Sequence, residues 1–224
     1  MQARTRKCRR RKGSTLLEFA LAAPLLLTLM ITGFSIGMAL TRMVQAGQLC
    51  RNANVLVVRG VDLSIAQNQT LVVRMAQGLG MNLPGTFNPD PNGKGVVILT
   101  KVVKVGANAC AKGVPSYNGN TATCPNYNRY VIAKRLVIGN GSRWSSRCGS
   151  PGSPLTTQGD VTDYDVAMTS SNIAQNFSDT PGASNIVSLA QDEYTFVAEV
   201  FVDIQDLTIP YMMPLDTIAV RNIS

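Results

Sequence analysis

From Phe19 to Leu40 the chain carries no charged side chain: FALAAPLLLTLMITGFSIGMAL. Wound as a helix at 1.5 Å per residue, this run covers roughly 33 Å, the thickness of a bilayer's hydrocarbon core. A core helix of a soluble domain seldom runs so far without a charge. A secretory signal peptide also has a basic start and an apolar middle, but its apolar region is shorter and closes on a small-x-small cleavage site. Here the run passes instead into polar helix at Thr41-Arg42. The reading is a membrane anchor. It divides the chain into a spanning helix (14–41), its continuation (42–60) and a head (61–224) long enough to build a core of its own.

The net charge of +8 belongs almost wholly to one segment. Arg4, Arg6, Lys7, Arg9, Arg10, Arg11 and Lys12 precede Gly13 with no acid among them, and the remainder holds 14 basic residues against 13 acidic ones. A terminal basic run can be a nucleic-acid arm. Abutting an apolar helix, it reads as a cytoplasmic topology signal, with the head on the outer side. No nucleic-acid partner is expected.

Between leader and anchor stands Gly13-Ser-Thr-Leu-Leu-Glu18-Phe19. Gly13 has no Cβ and enters an extended, accessible conformation at little steric cost. The basic leader holds that bond at the anionic inner surface, each Lys or Arg contributing about 1 kcal/mol. Glu18 is hard to justify otherwise, because an acid at mid-membrane costs about 2.5–3.5 kcal/mol, less near the interface. The bland reading is a Glu that snorkels to the interface of an uncleaved anchor.

The segment from about residue 10 to 56 resembles the TadE-like pseudopilins, with their prepilin-type Gly-x-x-x-x-Glu-Phe site. The resemblance is specific over its first third and compositional afterwards. It implies cleavage by a prepilin peptidase between Gly13 and Ser14, leaving Ser14 as the new N-terminus. Glu18 would then meet the free amine of a neighbouring subunit's first residue, beside Phe19. It further implies a place in the inner membrane, other pilins and pseudopilins as partners, and the role of a minor pseudopilin in Tad or type IV pilus assembly. Pro24 removes one backbone hydrogen bond and should kink the helix, which lipid tolerates. Gly33 and Gly37 form a Gly-x-x-x-Gly pattern that allows close helix approach, by itself a weak signal.

Five cysteines leave one over. Cys8 lies in the leader, on the cytoplasmic side. Cys50, Cys110, Cys124 and Cys148 lie outside, where disulfides persist. Of the three pairings possible, Cys110–Cys124 is favoured because the two flank a Gly-, Pro- and Asn-rich loop. That leaves Cys50, on the apolar stripe of the helix, to pair with Cys148.

Beyond the membrane, Met43, Ala46, Cys50, Ala53 and Val57 recur at helical steps opposite Gln45, Gln48, Asn52 and Arg59. This predicts a helix laid against the head. Ser64 is the expected N-cap of a second helix running to about Gly78 or Gly80. Strands are expected at 96–105, 130–138, 194–204 and 217–221. In the third, Tyr194, Phe196, Ala198, Val200, Val202 and Ile204 share one face, while Thr195, Glu199, Asp203 and Gln205 point the other way. Residues 139–185 read as surface loops with a short helix near 166–175. The sum is an α+β, pilin-like arrangement, a long N-terminal helix on a small antiparallel sheet, with strand order open.

Enzymatic readings find little support. The chain has no histidine, which removes His-based triads and the usual general base. No nucleophile elbow or phosphate-binding loop occurs, and no cofactor or metal is expected. Asp160, Asp163 and Asp165 could offer oxygen ligands to calcium, but their spacing is not that of an EF-hand. The rival reading is an uncleaved single-pass protein whose periplasmic head binds an envelope partner. A third is a secreted or periplasmic enzyme with a misread anchor.

Overall fold

A computed structural model describes residues 14–81, 93–177, 188–204 and 217–224. It has the α+β, pilin-like form: one long N-terminal helix and a four-stranded antiparallel sheet. Helix α1 runs without interruption from Ser14 to Val58, through Pro24. Helix α2 spans Ala66–Met75, and a short 3-10 turn, Gln77–Leu79, follows it. The strands are β1 (Gly95–Lys104), β2 (Tyr130–Gly139), β3 (Tyr194–Asp203) and β4 (Thr217–Ile223). Two short helices, α3 (Ala107–Gly113) and α4 (Asp163–Met168), stand in the connections.

The strand order is β2-β1-β3-β4, with the two longest pairings centred on β1. The β1–β2 register slips by one residue between Lys101 and Val102, leaving Ala133 as the extra residue of a bulge. Period-two alternation gives the sheet two apolar faces. On one, Val97, Leu99, Ile138, Ala198, Val200 and Val202 meet α1 and α2. The helix contributes Ala46, Leu49, Cys50 and Ala53, all buried, and the small alanines let it lie close. Two polar contacts fix its seat: Cys50 Sγ donates to Ala198 O at 3.1 Å and Asn54 Nδ2 to Asn222 Oδ1 at 3.1 Å. The expected stripe is therefore displaced. Leu49 replaces Met43, which stands 55% exposed beyond the edge of the head.

The opposite face is covered as well. Parts of residues 140–177 cover it, packing Cys148, Ala174 and Phe177 against Val102, Ile132 and Val197, and Trp144 against Val96, Ile98 and Phe201, while Val161, Val166 and Ala167 join the separate cluster around Cys110 and Cys124. Thr195, Glu199 and Asp203 consequently lie buried, while Gln205 falls outside the described residues. The short helix in this region is α4, followed by a 3-10 turn at Ser170–Asn172, rather than one helix over 166–175. Its N-cap is Thr162, whose hydroxyl accepts from Asp165 N at 3.2 Å. The expected cap of α2 does not form: Ser64 instead donates from its backbone and side chain to Asp62, and Ile65 precedes the helix.

Helix α3 was not expected at all. The carboxylate of Asp192, far along the chain, accepts from Gly106 N, Asn108 N and Ala109 N and so supplies its N-terminal cap. Against it packs α4. A Cβ at Gly113 would lie 2.3 Å from Asp163 O, so only glycine admits this approach. The Cys110–Cys124 disulfide closes the cluster, with Cα atoms 5.9 Å apart.

Cys50 and Cys148 do not pair. Both are buried free thiols. Cys50 sits in the core between α1 and the sheet, whereas Cys148 packs with residues of the other face. The sheet lies between them. The apolar stripe placed Cys50 correctly against the head, but which side of the sheet received residues 140–177 was not readable from local pattern.

Candidate assembly surface

From Leu16 to Gln45 no side chain of α1 is buried. Leu21, Leu29, Met30 and Phe34 are all more than 60% exposed, with Met30 at 79%. At 1.5 Å per residue this bare stretch extends roughly 45 Å, enough to cross a hydrocarbon core of about 30 Å and reach the head beyond. A soluble core helix would bury these side chains. This one buries none, and its length and composition fit a single-pass membrane anchor.

The four hydroxyls of the bare helix are satisfied within it. Thr28 donates to Leu25 O, Thr32 to Thr28 O, Ser35 to Ile31 O and Thr41 to Gly37 O, at 2.8–3.0 Å. Such back-bonding lets hydroxyls enter lipid without an orphaned donor. Gly33 and Gly37 face open space, nothing lying within 4 Å of a Cβ added at either. Glu18 and Phe19 are exposed on the first turns. Ser14 opens the helix, while Gly13 and Cys8 fall outside the described residues.

Two of the three loop aspartates are held in local networks. Asp160 pairs with Lys134 at 3.2 Å. Asp165 accepts from the hydroxyls of Thr162 and Thr169, which hold its carboxyl below the usual range. Among the described residues no three metal-binding side chains converge.

Sequence reasoning missed a buried polar cluster on the outer face of the sheet. Glu199, 1% exposed, accepts from Ser146 Oγ and from Arg147 N. Around it lie Arg135, whose Nη2 donates to Gly149 O at 2.7 Å, and Arg221, whose Nη2 lies 3.3 Å from Cys148 Sγ. Burial, reinforced by the Glu199 charge, pushes the Cys148 thiol above its ordinary value. The only available signal was that β3 placed two acids on a face whose partner strand β1 is apolar at Val96, Ile98 and Val102.

Comparison with known families gives a match at the N-terminal end of the chain. Residues 13–53 match the family described as TadE-like protein. This segment is similar to that family. It begins at the glycine, includes all of the bare helix and ends within the turns docked on the sheet. No curated protein and no solved structure matches the chain.

Proposed function

We propose that the chain acts as a minor pseudopilin, cleaved by prepilin peptidase between Gly13 and Ser14 and assembled through its bare helix. Residues 14–41 span the inner membrane with the leader on the cytoplasmic side, and 42–60 carry the head into the periplasm. The observation that carries this reading is the unburied helix from Leu16 to Gln45, which coincides with the TadE-like segment. A helix left bare by its own head is free to pack against lipid first and against other helices later.

In that setting Glu18 has a definite task. Cleavage creates a positive amine at Ser14, four residues earlier, in a region of low dielectric. Each charge is costly alone, and opposite charges brought together with good hydrogen-bonding geometry offset part of that cost. Pairing Glu18 of one subunit with the first amine of the next therefore favours in-register bundling over a lone subunit. Gly33 and Gly37 offer the neighbouring helix a place of close approach, and Pro24 relieves one backbone constraint where the bundle bends.

N-terminal sequencing of the membrane-bound protein tests the first step. The expected mature terminus is Ser14, with Gly13→Ala still processed slowly and a bulky residue at position 13 blocking cleavage. Recovery of only full-length chain from cells with an active prepilin peptidase would falsify the proposal.

A further inference from the structure

We propose that the base of the head, the end nearest the anchor, rests in the phospholipid headgroup layer of the periplasmic leaflet, so that a lipid surface is its partner before assembly. The proposal rests on the reading of residues 14–41 as a membrane span. Hydrogen bonds tie the segments of the base together. Lys94 N donates to Gly80 O at 3.3 Å and Asp203 N to Lys94 O at 2.7 Å. Asn140 donates from its backbone to Gly95 O and from Nδ2 to Gly93 O, each at 3.1 Å.

Two contacts fix the level of this base along α1. A Cβ at Gly78 would lie 3.3 Å from Gln45 Oε1, so the turn after α2 abuts the helix at Gln45. Further along, Cys50 meets Ala198 and Val220, and Asn54, one turn later, meets Asn222. The helix therefore climbs β4 from its start toward its end. Thr217 and its partner Asp203 lie on the anchor side of these contacts. Leu40 ends the uncharged run five residues before Gln45. Along one uninterrupted helix that interval is about 7.5 Å. A hydrocarbon core of about 30 Å within a bilayer of about 40–45 Å leaves each leaflet a headgroup layer of roughly 5–7 Å. The base therefore comes down onto that layer.

The side chains at this level suit lipid headgroups. Met43 and Val44 are apolar yet 55% and 60% exposed, just past the spanning run. Lys94 and Arg143 are exposed cations, the kind of group that lipid phosphates accept from. Asp203, the acid paired with Arg143, is buried. Trp144 packs on Val96 and Phe201 one rung above the base, with the Arg143 guanidinium 5.0 Å from its ring centre. Tryptophan favours the membrane–water interface, where its apolar ring and its N–H are both satisfied. Seated this way, a subunit waiting in the bilayer is held in one orientation, and the seat is given up when its helix leaves lipid for a bundle.

Trp144 is the single tryptophan of the chain, so its fluorescence reports the height of the base. The full-length protein is reconstituted in vesicles of phosphatidylethanolamine and phosphatidylglycerol that contain a lipid with a nitroxide on its headgroup, a quencher that acts by near contact. Emission should fall as the nitroxide lipid replaces plain lipid. A two-turn insertion of polar helix formers after Arg42, about seven residues, lifts the head by roughly 10 Å at nearly unchanged helical phase. In that variant emission should return to its level in unlabelled vesicles, with the melting temperature unchanged because the insertion precedes the docked turns. Retention in the vesicles through an alkaline wash tests the anchor separately. A chain that washes off overturns the anchor and the seating with it. A chain that is retained while Trp144 stays unquenched, or one quenched equally with and without the insertion, overturns the seating alone.

Discussion

Replacing Glu199 by Gln tests whether the outer face of the sheet is closed as the structure has it. The carboxylate accepts from Ser146 Oγ and from Arg147 N and lies among Arg135, Arg221 and the Cys148 thiol. Hydrogen bonds to a buried charge contribute about 1.5–3 kcal/mol each, and a glutamine oxygen retains one as a neutral bond of about 1 kcal/mol. The substitution also removes the negative charge beside buried Arg135 and half-buried Arg221, a loss that pushes in the same direction. The expected destabilisation is roughly 2–4 kcal/mol. For a chain of this size that lowers the melting temperature by about 5–15 °C. The assay is thermal unfolding of the full chain in micelles, followed by circular dichroism. Iodoacetamide labelling of Cys148 as a function of pH gives a second readout. Burial is the largest cause of the raised thiol and the Glu199 charge the next, so the pH profile should move toward lower pH in the variant. If Glu199 instead pointed to solvent, the change would stay within about 0.5 kcal/mol. A melting point shifted by no more than a degree or two, with an unmoved labelling profile, refutes the closed face.

Glu18→Gln should leave membrane insertion intact and impair assembly, since the amide cannot neutralise a neighbour's amine; wild-type piliation, in a background where deleting the protein abolishes pili, counts against the pairing. Non-reducing peptide mapping should recover a Cys110–Cys124 linked pair and, after denaturation, two alkylated thiols at Cys50 and Cys148, whereas a Cys50–Cys148 peptide contradicts the fold. Removing the 110–124 bridge, whose cysteines are 14 residues apart, should cost about 3 kcal/mol in the chain-entropy account. Asp165 has a carboxyl held below the ordinary value of 3.8 by Thr162 and then Thr169. Its contribution is therefore present above that value and lost as pH falls through the lower folded one. Asp165→Asn should flatten the acid limb of the melting curve, and an unchanged limb would show that the Thr162 cap does not depend on the charge.

The anchor was legible because it is written in consecutive residues, and the expectations about orientation and the Gly13–Glu18 spacing rest on the same kind of local signal. An uncharged run, a basic leader and a carboxylate at a fixed offset need no partner elsewhere to be recognised. The four strands were legible for the same reason, through β-branched content and alternation, as was the Cys110–Cys124 bridge across a short loop. Ala46, Cys50 and Ala53 announced the docked face of α1 by their spacing, and only its limit at Met43 needed the head to be seen. Everything that failed depended on long-range placement. Ser64 looked like a cap, but Asp62 engaged both its donors, and α3 was invisible because its cap, Asp192, comes from more than eighty residues away. Alternation in β3 divided its two faces correctly, yet could not say that both would be covered. That was decided by the wrap of residues 140–177, which carried Cys148 to the far side of the sheet from Cys50 and buried Glu199 beneath Ser146. Local pattern specifies which side of a strand a residue occupies; only the path of the distant chain determines whether that side meets water.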